Sequence, residues 1–208
     1  DQVFSIIPEL VVANENQKRG CVVILAPKDK VEMEEEIRAK CGPTGKTRVI
    51  CRNGNPMDLN DLEIASLPTS KSIIVLSNSS PDPDADVVKT VLAVTNHPRR
   101  RPQPYHIVAE IRAARNVEVV KMVGKDEVEV ILVSDFVARV VAQTCRQSGL
   151  SVIYTELMDY GGDEIYFFGH DALTGKSFGE TLFLFEDSTV IGIVPQGESA
   201  VLNPPMDT

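Results

Sequence analysis

The chain has 208 residues, of which 43% are hydrophobic and 25% charged, so it can bury a sizeable core and is not a largely disordered protein. Acidic residues outnumber basic ones, 30 to 21, and the net charge of -9 argues against a general nucleic-acid binder while being compatible with cation binding. No apolar run approaches the roughly 20 residues needed to cross a bilayer, which predicts a chain that is soluble as given.

The first part of the chain alternates helix-like and strand-like patterns. The predicted elements are a helix over Val3–Asn16, a strand over Cys21–Leu25, a helix over about Lys28–Lys40, a strand over Arg48–Arg52 and a short helix over Asp58–Ala65. The stretch Ser72–Val94 then reads as one strand (Ile73–Leu76), an acidic loop and a helix. This pace of alternation is typical of βαβ units and a parallel sheet.

The pattern continues to the middle of the chain and then leaves the sheet. The next predicted elements are a strand over His106–Ile111, a helix over Asn116–Val123, a strand over Val128–Val133 and a helix over Ser134–Gln147. The last of these has an apolar stripe made of Phe136, Val137, Val140, Val141 and Cys145. Gly149 is placed to end it.

Beyond Gly149 the pattern predicts a smaller α+β lobe. It contains predicted strands over Ser151–Leu157, Glu164–Phe168 and Thr189–Val194, a helix-sized piece over Phe178–Phe185 and a final strand with a turn, VLNPPMDT. The expected organisation is a Rossmann-like lobe over 1–133, a crossover helix over 134–149 and a small lobe over 150–208. Both ends are expected to continue into a longer protein.

The acidic loop is the main candidate site. In an open α/β sheet, ligands bind where loops leave the carboxyl ends of the strands. Asp82, Asp84 and Asp86 lie in such a loop, and Glu110 ends a neighbouring strand. The loop lacks the glycine and the closing glutamate of a complete local Ca²⁺ site, so these residues are candidates for a composite site that adds Glu110, since Ca²⁺ takes carboxylate and carbonyl oxygens from flexible loops. The alternative is structural, because Asp82 and its neighbours are also what the start of a helix selects.

Other chemistries have less support from the sequence. Classical NAD binding is disfavoured, because Ala26 stands where a carboxylate would hold the ribose, with Asp29 three residues later. No motif for catalysis or zinc binding is present, and the four cysteines read as buried free thiols of a reducing compartment. The basic loop Arg99–Arg101 is expected to be exposed, and the set Asp159, Asp163 and Glu164 is a weaker cation candidate.

Particular strings extend the interpretation beyond architecture. The stretches ELVVANENQKRGCVVILAPKDKVEMEEEI, VICRNGNPMDLNDLEIA and SIIVLS resemble the first RCK (regulator of conductance of potassium) domain of CASTOR/POLLUX-like channels of plants and bacteria. The resemblance implies that the first strand of the Rossmann-like lobe, with any glycine turn, lies before Asp1. It also implies a non-enzymatic sensor on the cytosolic side of a membrane channel, in the nuclear envelope for plants and in the plasma membrane for bacteria.

The resemblance further implies partners and a ligand. Four subunits would form a gating ring, each with a pore domain and a second RCK domain, and the ring would respond to Ca²⁺. The crossover-helix residues Phe136, Val137, Val140 and Val141 would pack across a subunit contact. Of the Ca²⁺ ligands of the similar archaeal channel domain, only Glu110 has a counterpart here, since Arg112 replaces the second glutamate. A nucleotide-binding or redox domain and a ligand-free assembly scaffold remain alternatives.

Overall fold

The structure is a computed structural model that describes residues 2–162, 164–195 and 197–208. Its backbone falls into two compact units, the first ending at Glu164 and the second running over Ile165–Thr208. The division comes after the crossover helix and the helix that follows it, so both helices belong to the first unit.

The first unit alternates helices and strands as far as its fifth strand and then has two consecutive helices. Its helices are α1 (Val3–Ala13), α2 (Lys30–Cys41), α3 (Leu59–Ile64), α4 (Pro83–Thr95), α5 (Val117–Gly124), α6 (Val133–Arg146) and α7 (Leu150–Met158). Its strands are β1 (Cys21–Ala26), β2 (Arg48–Asn53), β3 (Ile73–Val75), β4 (Ile107–Ile111) and β5 (Val128–Leu132). As far as α6, the predicted elements agree with these to within a few residues.

All strands of the first unit pair in parallel, in two groups. The first group is β1 with β2, in a register that places Cys21 opposite Arg48. The second has the order β3-β4-β5, with Ile107 of β4 opposite Ile73 on one side and Val128 on the other. The prediction of a mostly parallel α/β lobe is confirmed. The carboxyl ends of β3 and β4 therefore lie side by side, which brings their loops together.

Aspartates begin the helices that follow β1, β2 and β3. Asp29 accepts hydrogen bonds from the backbone N–H groups of the first turn of α2, and Asp58 does the same for α3. Asp82 begins α4, where its Oδ1 accepts from Ala85 N at 3.2 Å and Pro83 occupies the first helical position. Several aspartates of the chain therefore act as N-caps of helices.

Two apolar clusters hold the first unit together. The larger joins α4 and α5 to the β3-β4-β5 sheet, and its fully buried side chains are Val87, Val91, Val94, Ile107, Ala109, Ile111 and Val120. The smaller joins α1 and α2 to β2 through Ile7, Met33, Ile37 and Cys51. Both clusters form because apolar residues at helical spacing give each helix an apolar side, which packs on strands that are continuously apolar.

The segment after α6 differs from the prediction. Ser151–Leu157 was expected as a strand because it is rich in β-branched residues, but it lies in helix α7. The helix packs on α6, where Tyr154 donates a hydrogen bond to the side-chain oxygen of Gln143, and Thr155 Oγ1 bonds back to Ser151 O at 3.0 Å. A neighbouring helix thus outweighs the local strand preference.

The second unit has less regular structure than predicted. The expected strand over Glu164–Phe168 is absent, and the Phe168 ring instead stacks on His170 at 5.9 Å and meets Phe185 edge-on. Its described elements are a 3-10 helix (Asp171–Leu173), α8 (Phe178–Thr181), with a capping box between Ser177 and Glu180, and the antiparallel strands β6 (Gly192–Ile193) and β7 (Val201–Leu202). The observed α8 and β6 are thus shorter than the helix Phe178–Phe185 and the strand Thr189–Val194 that the sequence predicted.

The cysteines are free, but they are not all buried as predicted. Cys51 is buried and Cys41 half-buried, whereas Cys21 and Cys145 are exposed. Burial raises the pKa of the Cys51 thiol. Among residues 2–162, 164–195 and 197–208, no helix is both long and apolar enough to cross a membrane.

Candidate functional site

The predicted site residues meet where β3 and β4 end and α4 begins. We refer to this group of polar side chains, defined by Asp84, Glu110 and Arg112 with their hydrogen-bond partners, as the strand-end network. Its members come from segments far apart in the sequence, and the parallel pairing of β3 with β4 brings them together.

Asp84 lies at the centre of the strand-end network and is only 4% exposed. Its Oδ1 accepts from Arg112 N at 3.0 Å, and its Oδ2 accepts from Ala113 N at 3.0 Å and from Asn116 Nδ2 at 2.7 Å. Burial by itself raises the pKa of Asp84, but these three hydrogen bonds outweigh it, and the pKa is lowered overall. Asp84 therefore fastens the loop after β4 to the first turn of α4.

Glu110 is the last but one residue of β4 and is also buried. Its Oε2 accepts from the backbone N–H of Ser77 at 3.0 Å, and its Oε1 accepts from Gln2 Nε2 at 3.1 Å. One carboxylate thus connects the loop after β3 and the residue before α1.

Asp82 and Asp86 are more exposed than Asp84, and each has a local partner. Asp82 caps α4, as described above. Asp86 accepts from Asn78 Nδ2 at 3.0 Å and lies 3.3 Å from Lys89 Nζ. The side chains of Asn78 and Ser80, and after them that of Lys89, lower the pKa of Asp86. Both residues contribute to the start of α4.

Arg112 is the member of the strand-end network that the carboxylate pattern did not identify as a contributor. In its guanidinium, Nε donates to Ser77 Oγ at 3.0 Å and Nη2 donates to Asn78 O at 3.1 Å, so Arg112 links the loop after β4 to the loop after β3. Its carbonyl oxygen accepts from Ser134 Oγ at 2.9 Å. Because Ser134 lies in the first turn of α6, the network is directly joined to the crossover helix.

The four predicted Ca²⁺ ligands are thus close in the fold, and each accepts hydrogen bonds from the protein itself. In the part of the chain that the structure describes, no group of three or more His, Cys, Asp or Glu side chains is placed to hold a metal ion. Asp163 lies outside the described residues, and Asp159 accepts from the backbone N–H of Gly161 at 2.7 Å. In this arrangement the oxygens of these carboxylates are used by N–H donors of the chain, which a cation would have to displace.

The position expected to hold a nucleotide ribose carries no free carboxylate. β1 ends at Ala26, and Asp29 accepts from Val31 N at 2.8 Å and from Glu32 N at 3.1 Å. Asp29 is therefore engaged in starting α2.

The basic loop is tied down, contrary to the expectation of an exposed loop. Arg100 Nη2 donates to both carboxylate oxygens of Glu127, at 2.7 and 2.9 Å, and Arg101 donates to Ser70 O at 2.7 Å. Arg99 is 2.9 Å from Glu63, although its side chain remains largely exposed.

The predicted interface residues lie on an apolar surface of α6. Phe136, Val137 and Val141 are exposed, Val140 is half-buried, and no residue of α6 is buried. The adjoining α7 adds Val152, Ile153, Leu157 and Met158, all of which are exposed as well. We call this surface, formed by the exposed apolar side chains of α6 and α7, the helix-pair face. Exposed apolar area on this scale typically marks an interaction surface.

Comparison with known proteins identifies the class. Residues 1–120 match the family described as the calcium-activated potassium channel slowpoke-like RCK domain, and residues 134–208 match the family described as Castor and Pollux, part of voltage-gated ion channel. Since the first match alone covers more than half of the chain, the chain belongs to the RCK domain family. The human SLO3 gating ring has the same fold, with a TM-score of 0.62 and 18% identity over 90% of this chain and 37% of that one.

Within that class, the chain is similar to the CASTOR and POLLUX ion channels along its whole length. It is 33% identical to the probable ion channel CASTOR of Oryza sativa subsp. japonica over 98% of this chain, and 32% identical to the ion channel CASTOR of Lotus japonicus over 98%. The probable ion channel POLLUX of Oryza sativa subsp. japonica is 31% identical over 100% of this chain. The chain spans 23%, 24% and 22% of the lengths of these relatives, respectively. The expected resemblance to RCK domains of CASTOR/POLLUX-like channels is confirmed.

Proposed function

We propose that this chain is a non-enzymatic regulatory domain of a cation channel, held on the cytosolic side of the membrane, which converts ligand binding into a movement of the crossover helix. The observation that carries this proposal is the hydrogen bond from Ser134 Oγ to Arg112 O. It connects the strand-end network to a helix whose apolar side chains are exposed, so that a change in the network reaches an interaction surface.

The partner of the helix-pair face is a second RCK domain. Four subunits, each with a pore domain and two RCK domains, would then form a gating ring. The composition of the face supports this role, because Phe136 and Val141 would leave water in such an assembly. Membership of the RCK family and the likeness in fold to a gating ring also support it.

The proposed ligand is Ca²⁺, bound by Asp82, Asp84, Asp86 and Glu110 after the loop following β3 has rearranged. Each of these carboxylates first has to exchange N–H donors for the cation. The exchange begins at Glu110, because one of its two hydrogen-bond donors is the side chain of Gln2. Such an exchange produces two alternative states, and Ca²⁺ shifts their populations only by its difference in affinity between them.

A Ca²⁺ titration of the 208-residue chain, followed by calorimetry and thermal unfolding, tests the ligand. We expect heat of binding, with about 2.7 kcal/mol of added stability at 100 times the dissociation constant. Glu110→Gln should abolish both signals. Glu118→Gln, which changes an exposed glutamate on α5, should retain them. Absence of heat together with an unchanged melting temperature at millimolar Ca²⁺ would refute Ca²⁺ binding.

A ligand-free scaffold is the second candidate function, and the strand-end network supplies the observation that favours it. Every predicted ligand already accepts hydrogen bonds from the chain, three of them in the case of Asp84. In that case the network would fix the loops permanently and the helix-pair face would serve assembly alone. A silent Ca²⁺ titration with an intact assembly would select this function.

A further inference from the structure

Four basic side chains lie at the amino ends of β1 and β2. Lys18 and Arg19 come from the loop between α1 and β1, Lys46 comes from the loop between α2 and β2, and Arg48 begins β2. All four are exposed. We call these four residues the amino-end patch. The strand-end network, in contrast, lies where β3 and β4 end.

The two loops that carry the amino-end patch are in direct contact. The backbone N–H of Arg48 donates to the carbonyl oxygen of Gly20 at 2.9 Å. Gly20 is buried, and a Cβ atom at this position would lie 2.7 Å from Thr47 Oγ1. This close approach of the two loops brings their basic residues into one patch.

The amino-end patch is positive on a chain that is negative overall. Residues 14–20 and 42–48 contain four basic residues and one acidic residue, Glu15, which gives a local charge of +3, whereas the whole chain has a net charge of -9. Outside residues 1, 163 and 196, no ion pair or side-chain hydrogen bond engages any side chain of the patch. By contrast, Lys30 pairs with Glu34 and Lys89 pairs with Asp86. The charge of the patch is therefore available to an external anion.

The C-terminal ends of helices also favour basic residues, but this effect does not account for the amino-end patch. A helix dipole acts on charges within about the last turn. Lys18 lies five residues beyond the end of α1, and Lys46 lies five residues beyond the end of α2. The last turn of α2 has basic residues of its own, Arg38 and Lys40.

Backbone N–H groups beside the amino-end patch are also available to an anion. Within the described residues, the N–H groups of Arg19, Gly45 and Lys46 donate no hydrogen bond. Gly45 has a φ of 54°, and no atom lies within 4 Å of the position that its Cβ would take, so the tip of this loop is open. Phosphate oxygens accept hydrogen bonds both from backbone N–H groups and from Lys or Arg side chains. The two loops offer both kinds of donor.

We propose that the amino-end patch binds a multivalent phosphate anion, either a soluble polyphosphate or the phosphate headgroup of a lipid. Four cations with adjacent N–H groups suit an anion whose several oxygens reach both loops. The negative charge of the rest of the chain repels such an anion and directs it to the patch. An anion that bridges the two loops also stabilises the folded chain, to an extent set by its affinity and concentration. This binding does not depend on Ca²⁺.

Calorimetry with inositol hexakisphosphate, in buffer without divalent cations, tests the site. The double variant Lys46→Gln/Arg48→Gln removes two charges of the patch, and we expect binding to become at least about tenfold weaker. The control Arg115→Gln/Lys121→Gln removes one arginine and one lysine at other exposed positions, and it should bind as the wild type does. An equal loss of affinity in both double variants would show only a general electrostatic attraction and would overturn the proposal.

Vesicles distinguish the two sources of phosphate. The chain is sedimented with phosphatidylcholine vesicles that contain phosphatidic acid, and with vesicles of phosphatidylcholine alone. Binding that requires phosphatidic acid, and that Lys46→Gln/Arg48→Gln loses, would include lipid headgroups among the ligands, whereas heat with inositol hexakisphosphate alone would restrict the site to soluble polyphosphates. Absence of binding to both probes would overturn the proposal. A polyglutamate peptide that binds the patch as tightly as the phosphates would also overturn it, in favour of an acidic protein partner.

Nitrogen-15 NMR of the wild-type chain gives a test that does not depend on a variant folding. When inositol hexakisphosphate is added, the amide resonances of Arg19, Gly45 and Lys46 should shift together. The amide of Arg115 should stay in place. Shifts that leave the two loops unaffected would place the anion elsewhere and contradict the proposed site.

Discussion

The strand-end network and the helix-pair face lie in the same compact unit. They differ in whether the chain itself provides partners for their side chains. In the network, Asp84 and Glu110 are buried and hydrogen-bonded through both carboxylate oxygens. On the helix-pair face, Val141 is 61% exposed and Val152 is 68% exposed.

The difference shows which region is complete within one chain. Buried carboxylates without donors would cost several kcal/mol, and this chain supplies those donors from its own backbone and side chains. Apolar side chains in water gain roughly 25 cal/mol for each Å² that a partner covers. The network therefore stabilises the single chain, whereas the helix-pair face gains stability only by association.

The largest effect on this comparison is expected from Asp84→Asn. The amide places an N–H₂ group where one carboxylate oxygen accepted, so at least one buried donor loses its acceptor. We expect a loss of about 2 to 3 kcal/mol in the free energy of unfolding, measured with urea. Asp82→Asn is the matched control, because asparagine caps helices as well as aspartate and should cost less than about 0.5 kcal/mol. Equal losses would show that Asp84 acts only as a helix-start residue.

An intermediate effect is expected from acid. The pKa of Asp84 is lowered in the folded chain, so its contribution to stability is fully present above the unfolded value of about 3.9. That contribution is lost as the pH falls through the lower folded pKa. Urea unfolding at pH 6, 4 and 3 should therefore show a shallower decline for Asp84→Asn than for the wild type. Equal declines in the two proteins would show that the hydrogen bonds of Asp84 do not contribute to the pH dependence of stability.

The smallest effect is expected from Ser134→Ala, which removes the contact between the strand-end network and α6. The lost hydrogen bond is exposed, so the unfolding free energy should fall by only about 0.5 to 1 kcal/mol. Hydrogen exchange in the first turn of α6 should nevertheless become faster, while exchange in β4 stays the same. Ser72→Ala, at an exposed position before β3, is the control. Unchanged exchange in α6 would show that this hydrogen bond does not couple the strand-end network to the helix-pair face.

Much of the first unit is predictable because its apolar residues are periodic. The continuous runs in β1, β3 and β4 and the helical spacing in α4 each specify one structure. The segment after α6 is not predictable in this way. Val152 and Ile153 favour a strand locally, yet they lie in α7, a helix that packs on α6.

The candidate site was predictable in its carboxylates and not in their partners. Asp84 and Glu110 follow from the rule that loops at strand ends hold polar groups. Asn116 and Gln2 are 32 and 108 residues away from the carboxylates they bind, so only the folded chain shows that the carboxylates are occupied. Arg112 directly follows β4, and the same strand-end rule would have placed it in the network.

Sedimentation equilibrium tests the central claim, that the helix-pair face is an association surface, most directly. Val141→Glu changes that face, and Val31→Glu is a control of equal exposure on α2, at 60% against 61%. The wild type and Val31→Glu should show an average mass that rises above 22.8 kDa with concentration, while Val141→Glu stays at that mass. A wild-type chain that remains at 22.8 kDa at every concentration, or a Val141→Glu chain that associates equally well, would contradict the account.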